Sequence, residues 1–223
     1  MRNLLILTIV LSTAFAGFAQ TCNSKAKLQE TINTISEKPK MLLSNKFLYI
    51  IHPMIKKEDR EREYKINGNL IWEANLCKIT YTWYKQTKGP TSKSTIKIGE
   101  TFSFNYPLNT LKNLLSENEF KGWEFSESLA LDKQNFSGYK STVVMNGVEK
   151  NFQVYLKGNQ LYAVSLGFAN TGISHEKNVK ESADFWYFSK VGDQLRFVKK
   201  FTIKASKNNS VPIIEKTTDN YQY

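Results

Sequence analysis

Lys140 to Phe168 reads KSTVVMNGVEKNFQVYLKGNQLYAVSLGF, and this stretch decides the fold. Asn146-Gly147 supplies the two positive φ angles of a type I′ turn, which is the strongest short-range hairpin signal. Lys157-Gly158-Asn159 predicts a second tight turn of the same kind. Apolar and polar residues alternate between and after these turns. The run between the turns has one apolar face with Phe152, Val154 and Leu156, and the run after them has one with Tyr162, Val164, Leu166 and Phe168. The stretch therefore predicts a three-stranded antiparallel meander.

Other segments predict further strands and short helices around this meander. Strand-like runs lie at 46–51, 77–86 and 95–106, and Asn67-Gly68 predicts another hairpin. Helical spacing of apolar residues occurs at 24–36 and again at 108–115. Ala183–Val191 fits either a strand or the end of an amphipathic helix, and Gln194–Ile203 fits a last strand or a helix followed by one. The predicted fold class is α+β: a single domain with an antiparallel meander sheet packed against two or three short helices.

The N-terminus has the features of an export signal. Arg2 precedes an apolar run of about a dozen residues, and Gly17-Phe18-Ala19 offers small residues for cleavage after Ala19. That run is shorter than the roughly 20 apolar residues that span a bilayer, and no later segment approaches that length. The prediction is an exported protein, periplasmic or extracellular, without a transmembrane segment. Its parts are a signal peptide (1–19), an N-terminal helical segment (20–45), the α+β domain (46–205) and a loose C-terminal tail (206–223).

Two cysteines allow two different interpretations. Cys22 and Cys77 can form a disulfide in an oxidising compartment. Closing a loop of about 55 residues would stabilise the fold by roughly 4 kcal/mol in the chain-entropy model. Alternatively both thiols are free, or Cys22 carries a lipid anchor, although Thr21 and Ala19 match a lipoprotein signal poorly.

The charge favours anionic partners. The formal net charge is +11, and removal of a signal peptide containing Arg2 as its one ionisable side chain leaves +11 − 1 = +10. A positive field of this size attracts lipid headgroups, acidic polysaccharides or other polyanions. Because the lysines are scattered along the chain, a merely soluble basic surface is the competing interpretation. The predicted export argues against nucleic acid as the partner.

No catalytic, cofactor or metal motif stands out. The chain contains only His52 and His175, and it lacks the histidine, glycine-rich and nucleophile-elbow motifs of common enzymes. Acidic residues are plentiful, so a secreted hydrolase with Glu/Asp acid-base chemistry remains an alternative. No catalytic residue, cofactor site or metal ligand is assigned.

The order of elements from Phe47 to Ile203 resembles the PsbP-like fold family. The similarity rests on Tyr155–Val164, which reads YLKGNQLYAV, and on Phe197 and Phe201 in a closing segment where Lys200 replaces a serine. This resemblance implies an antiparallel sheet flanked by helices and a non-enzymatic binding or assembly role. It supplies no functional residues.

The sequence thus predicts an exported binding or accessory protein of the cell envelope. Recognition of a protein or an anionic ligand would use exposed aromatic side chains on the sheet, with Tyr84, Tyr155 and Trp186 as candidates, together with lysines.

Overall fold

The computed structural model describes residues 22–55, 60–73, 76–87, 95–167, 181–208 and 211–223. These ranges contain helices α1 (Lys25–Asn33) and α2 (Pro107–Glu117). They also contain strands β1 (Met41–Ile50), β2 (Glu61–Glu73), β3 (Leu76–Thr87), β4 (Thr95–Phe104), β5 (Phe120–Leu131), β6 (Gln134–Met145), β7 (Val148–Lys157), β8 (Gln160–Leu166), β9 (Glu181–Val191), β10 (Gln194–Asn208) and β11 (Val211–Gln222). The predicted signal peptide lies outside the described residues, and its prediction stands as made.

All eleven strands form one antiparallel sheet, in the order β4-β3-β2-β1-β11-β10-β9-β8-β7-β6-β5. Strands β1 to β4 follow one another outward to one edge. Strands β5 to β11 run from the other edge back to the centre, where β11 pairs with β1. Helix α2 lies in the chain between the two edge strands, β4 and β5.

The predicted α+β fold class is wrong, because this is a mainly β fold with two short helices in its described residues. The ambiguous segments Ala183–Val191 and Gln194–Ile203 are both strands. Phe185 and Tyr187 point to one face of β9 while Trp186 and Phe188 point to the other, and all four are buried. Burial on both faces removes the apolar alternation that identifies a strand in a sequence.

The predicted loose tail is also wrong. Residues 211–222 form β11, which pairs along its length with β1 on one side and β10 on the other. The polar composition of 206–223 suggested a free end. A strand with a neighbour on each side satisfies its backbone groups in the ladder, so few apolar side chains are needed to hold it.

The predicted meander is confirmed as β6, β7 and β8. Asn146 and Gly147 have φ of 51° and 77° in the turn between β6 and β7, and Gly158 has φ of 61° in the next turn. The hairpin predicted at Asn67-Gly68 is wrong, since both residues lie inside β2 with partners on β1 and β3. Two flanking strands impose an extended backbone there, and this outweighs the local turn preference.

Both helices pack on the same face of the sheet, which we call the helix face. Ser24 caps α1 by accepting a hydrogen bond from the Lys27 amide. The helices bury six leucine and isoleucine side chains in one cluster with residues of β1, β2 and β6 to β11: Leu28, Ile32, Leu108, Leu111, Leu114 and Leu115. In the described part of the chain, neither helix has the length and hydropathy needed to cross a bilayer.

We expect replacement of Tyr221 by Ala to lower the free energy of unfolding by about 3–5 kcal/mol, because its ring is 4% exposed and packs on Tyr106 and Phe197. Chemical denaturation would measure this change, and the exposed neighbour Gln222→Ala is the matched control. Equal loss in both variants would contradict a central, packed β11.

Candidate binding site

Two of the three aromatic residues predicted to form a binding surface, Tyr155 and Trp186, are buried in the described structure. Tyr155 is fully buried and Trp186 is 3% exposed, and they lie on opposite faces of the sheet. Tyr84 lies in β3, in a region whose side chains fall outside the described part. The prediction of Tyr155 and Trp186 as exposed contacts is therefore wrong.

Tyr155 is buried because the second face of the sheet, opposite the helices, has its own apolar cluster around Leu129, Leu131, Phe136, Tyr155, Ala163, Ala183, Phe185 and Tyr187. Its hydroxyl donates to Gln153 Oε1 at 2.6 Å and lies 3.2 Å from Ser165 Oγ. Burial raises the pKa of Tyr155. A satisfied hydroxyl in an apolar setting makes this tyrosine a structural residue.

Trp186 lies on the helix face and connects the sheet to α2. Its indole Nε1 donates to the carbonyl oxygen of Pro107, the first residue of α2, at 2.8 Å. The Lys200 ammonium lies 3.3 Å from the centroid of the Trp186 ring. The ring is therefore occupied on one side by a cation of the same chain.

Lys200 belongs to a polar network across the central strands. Its Nζ lies 2.7 Å from Asp184 Oδ1, which also accepts a hydrogen bond from Thr202. On β11, Asp219 faces Lys200 in register and accepts a bond from Ser44 of β1. Burial lowers the pKa of Lys200 to about 8, against the opposing effect of Asp184, and burial raises the pKa of Asp219. The network holds β9, β10, β11 and β1 together through partners that leave little surface for a ligand.

An opening in the described structure lies where β8 and β9 separate. These strands pair only over Ala163–Leu166 and Asp184–Tyr187, so the ladder does not continue into 160–162 of β8 and 188–191 of β9. A β-bulge interrupts each adjoining ladder at the same level. Tyr162 is the extra residue between β7 and β8, and Val198 is the extra residue between β9 and β10. Bulges bend strands and increase their twist, which accounts for the separation.

A cavity of about 560 Å³ fills this separation, and we call it the wedge pocket. Both bulged residues line it. Its remaining walls come from β7 to β11: Lys157, Gln160, Leu161, Tyr187, Phe188, Ser189, Lys190, Lys199 and Asn220. The volume is within the range of small-ligand sites in proteins.

The charged groups in the wedge pocket are all positive. Lys157 and Lys190 are exposed at its rim, and half-buried Lys199 lies on one of its walls, 3.6 Å from the Tyr187 ring centroid. The Lys190 ammonium approaches a carboxylate only at 3.7 Å, from a fully exposed Asp193, so that pair contributes little. An anionic group placed among these three ammonium groups would meet no negative side chain on the pocket wall.

The Asp132 carboxylate contacts a lining residue, Tyr187, but does not itself line the wedge pocket. Tyr187 donates its hydroxyl to Asp132 Oδ2 at 3.0 Å, and burial, reinforced by this carboxylate, raises the pKa of Tyr187. Asp132 is absent from the pocket lining. The paired carboxylates that a glycoside hydrolase requires are therefore not found on the wall of the wedge pocket.

A second, polar depression of about 390 Å³ lies by the edge strand β5, where a bulge separates Lys121 from Glu124. Its lining includes Glu124, Lys140, Asn151 and Gln153. Glu124 is its single carboxylate, so this depression also lacks an acid-base pair. It has no excess of positive charge comparable to that of the wedge pocket.

Cys22 is buried in the helix-face cluster as a free thiol, and burial raises its pKa to about 11. The Cys77 backbone lies between Trp72 and Phe104 in the sheet, and its side chain is outside the described part. The predicted Cys22–Cys77 disulfide is therefore not present in the structure, where Cys22 is free. The burial of Cys22 counts against a lipid anchor, because a lipidated residue would have to leave the core.

Comparisons with protein-family models and with curated proteins give no match to this chain. The resemblance to the PsbP-like family is tested by neither comparison and stays an expectation. The site is therefore interpreted from its own geometry.

Sequence reasoning missed the wedge pocket, although a signal for it exists. Leu161 and Val164 both face the helices, and so does Phe197 together with Lys200 three residues later. A spacing of three between residues on the same face breaks the period of two and marks a bulge. Finding two bulges at one level requires the register between strands, which the sequence does not contain.

The Lys200 network generates a pH prediction. The pKa of Lys200 is about 8 in the fold, below its ordinary value of 10.5, so the unfolded state binds more protons between these values. The contribution of Lys200 to the free energy of unfolding should therefore rise as pH increases from 8 to 10.5. Denaturation of the native protein and of Lys200→Met across this range, taken as a difference, would measure it. A difference that stays constant would refute the lowered pKa.

Proposed function

We propose that this protein is an exported, non-enzymatic binding or accessory protein that takes an anionic ligand in the wedge pocket. The observation that carries the proposal is the convergence of Lys157, Lys190 and Lys199 on one cavity whose lining contains no carboxylate. Export rests on the signal-like sequence of residues 1–19.

Aromatic and apolar side chains favour binding of a ligand with an organic body rather than a bare ion. Tyr162 lies at the bulge and stacks on Phe136, with ring centroids 4.8 Å apart and an interplanar angle of 12°. Tyr187 meets Tyr162 edge to face at 5.9 Å. Aromatic walls held by other rings lose little entropy when a ligand packs against them, so they suit recognition.

The positive field of the whole chain supports the same proposal. The full chain has a formal charge of +11, and +11 − 1 = +10 remains without the signal peptide. Such a charge attracts an anion from a distance, and the three lysines of the pocket can then bind it. Binding of this kind weakens as salt rises, because exposed ammonium groups are screened.

The hydrolase alternative has less support. Neither described cavity is lined by two carboxylates. The lysine whose pKa is most displaced, Lys200, is 8% exposed and engaged with Asp184 and Trp186. These groups are arranged to stabilise the sheet rather than to contact a substrate.

Neutralising the pocket lysines should abolish most of the binding. We expect the triple variant Lys157→Gln, Lys190→Gln, Lys199→Gln to bind a sulfated oligosaccharide or a glutamate-rich peptide about 10–100-fold more weakly at low salt, since each contact contributes roughly 0.5–1 kcal/mol. Isothermal titration calorimetry measures the affinities.

The matched control removes the same charge elsewhere, at Lys40, Lys121 and Lys216, which are exposed and lie outside the wedge pocket. If both triple variants lose affinity equally, the general field acts alone and the pocket is not the site. If the native protein binds neither polyanion at low salt, the proposed function fails.

A further inference from the structure

The wedge pocket is walled partly by backbone. Residues 160–162 of β8 and 188–190 of β9 face one another across the gap without ladder pairing. In an antiparallel strand, the N–H and C=O of one residue point to one neighbour and those of the next residue point to the other. Each of these three-residue stretches therefore directs at least one N–H and C=O pair into the gap.

Unpaired backbone groups at a partly buried site need partners. We call residues 160–162 and 188–190 the two lips of the wedge pocket. Leu161 on one lip and Phe188 on the other each have 2% of their surface exposed. Their neighbours Tyr162 and Tyr187 form the pocket wall on the second face of the sheet. Burial on both sides of the gap limits access of water to the backbone, so a ligand that bonds to it gains more than on an open surface.

The chemistry of these lips distinguishes between anionic ligands. A phosphate, a sulfate or a carboxylate only accepts hydrogen bonds, so it can satisfy N–H groups but leaves each C=O unpaired. An extended peptide offers a donor and an acceptor at every second residue, in the spacing of the lips themselves. The unpaired stretch of β8 spans about 10 Å at 3.3 Å per residue, which matches a peptide of three residues.

We propose that the ligand of the wedge pocket is an acidic peptide segment that binds in extended form and hydrogen-bonds to the unpaired lips of β8 and β9. This inference rests on the proposed function and gives it a ligand class. Lys157, Lys190 and Lys199 supply positive charge for the acidic side chains. Apolar contacts are available on both faces of the sheet, from Leu161 on the helix face and from Tyr162 and Val198 on the second face.

A blocked pentapeptide that alternates glutamate with valine tests this proposal on the full chain. Its affinity is compared by calorimetry with that of the same peptide N-methylated at both valines, which removes donors while keeping charge and side chains. We expect the N-methylated peptide to bind about tenfold more weakly or worse. A peptide with lysine in place of glutamate should not bind.

Hydrogen exchange provides the second readout. The glutamate–valine peptide should slow exchange of amides in both 160–162 and 188–190, because it pairs with both stretches. Inorganic sulfate accepts hydrogen bonds at a single point, so even at saturating concentration it should not protect amides in both stretches. Because both controls alter the ligand and not the protein, loss of binding cannot come from misfolding.

The failures are distinguishable. Equal affinity for the peptide and its N-methylated form overturns backbone pairing while anion binding at the lysines stands. Binding of a sulfated oligosaccharide at the three lysines without binding of the glutamate–valine peptide overturns the peptide class and leaves the proposed function. Binding of neither overturns both.

Discussion

Burial of apolar side chains on both faces of strands β7 to β10 is the constraint on which the rest of this structure depends. On the helix face, Phe152, Trp186 and Phe197 pack with the two helices. On the second face, Tyr155 and Phe185 pack with Phe136 and their neighbours. A sheet loaded on both sides cannot let a strand slip by one residue, because every side chain would change face. Local extra residues are accommodated as bulges instead.

Two of those bulges account for the site. Tyr162 and Val198 are each inserted opposite a single partner residue, and the strands between them separate. The separation ends the ladder between β8 and β9 and opens a cavity within the sheet. The functional features of this protein thus arise at the place where the ladder is interrupted, and the lysines at 157, 190 and 199 give that place its charge.

The central ion pair has a different role. Lys200 and Asp184 lie on adjacent strands, and Asp219 and Ser44 continue the polar contacts across β11 to β1. Burying such a pair does little for stability compared with an apolar pair, but removing one partner leaves the other without compensation. A network that spans the junction of the first and last strands favours one register for β11, whose own sequence has few apolar residues to define it.

The sequence alone determined the local elements with strong turn or period signals. The two turns at Asn146-Gly147 and Gly158, the meander between them, and the apolar stripes of α1 and α2 follow from residues close together in the chain. The same reasoning read 206–223 as a tail, Asn67-Gly68 as a turn and Trp186 as exposed. In each case the deciding contacts come from elements outside the local segment.

Only the tertiary structure decided which strands are neighbours, which aromatic side chains are covered, and where two bulges coincide. Tyr155 and Tyr162 both lie in alternating strand sequences. Tyr155 is nevertheless fully buried in contact with Phe136, whereas Tyr162 lines the wedge pocket. The physical reason is that burial and register depend on pairing between distant segments, whereas turn and helix signals depend on the torsional preferences of a few adjacent residues.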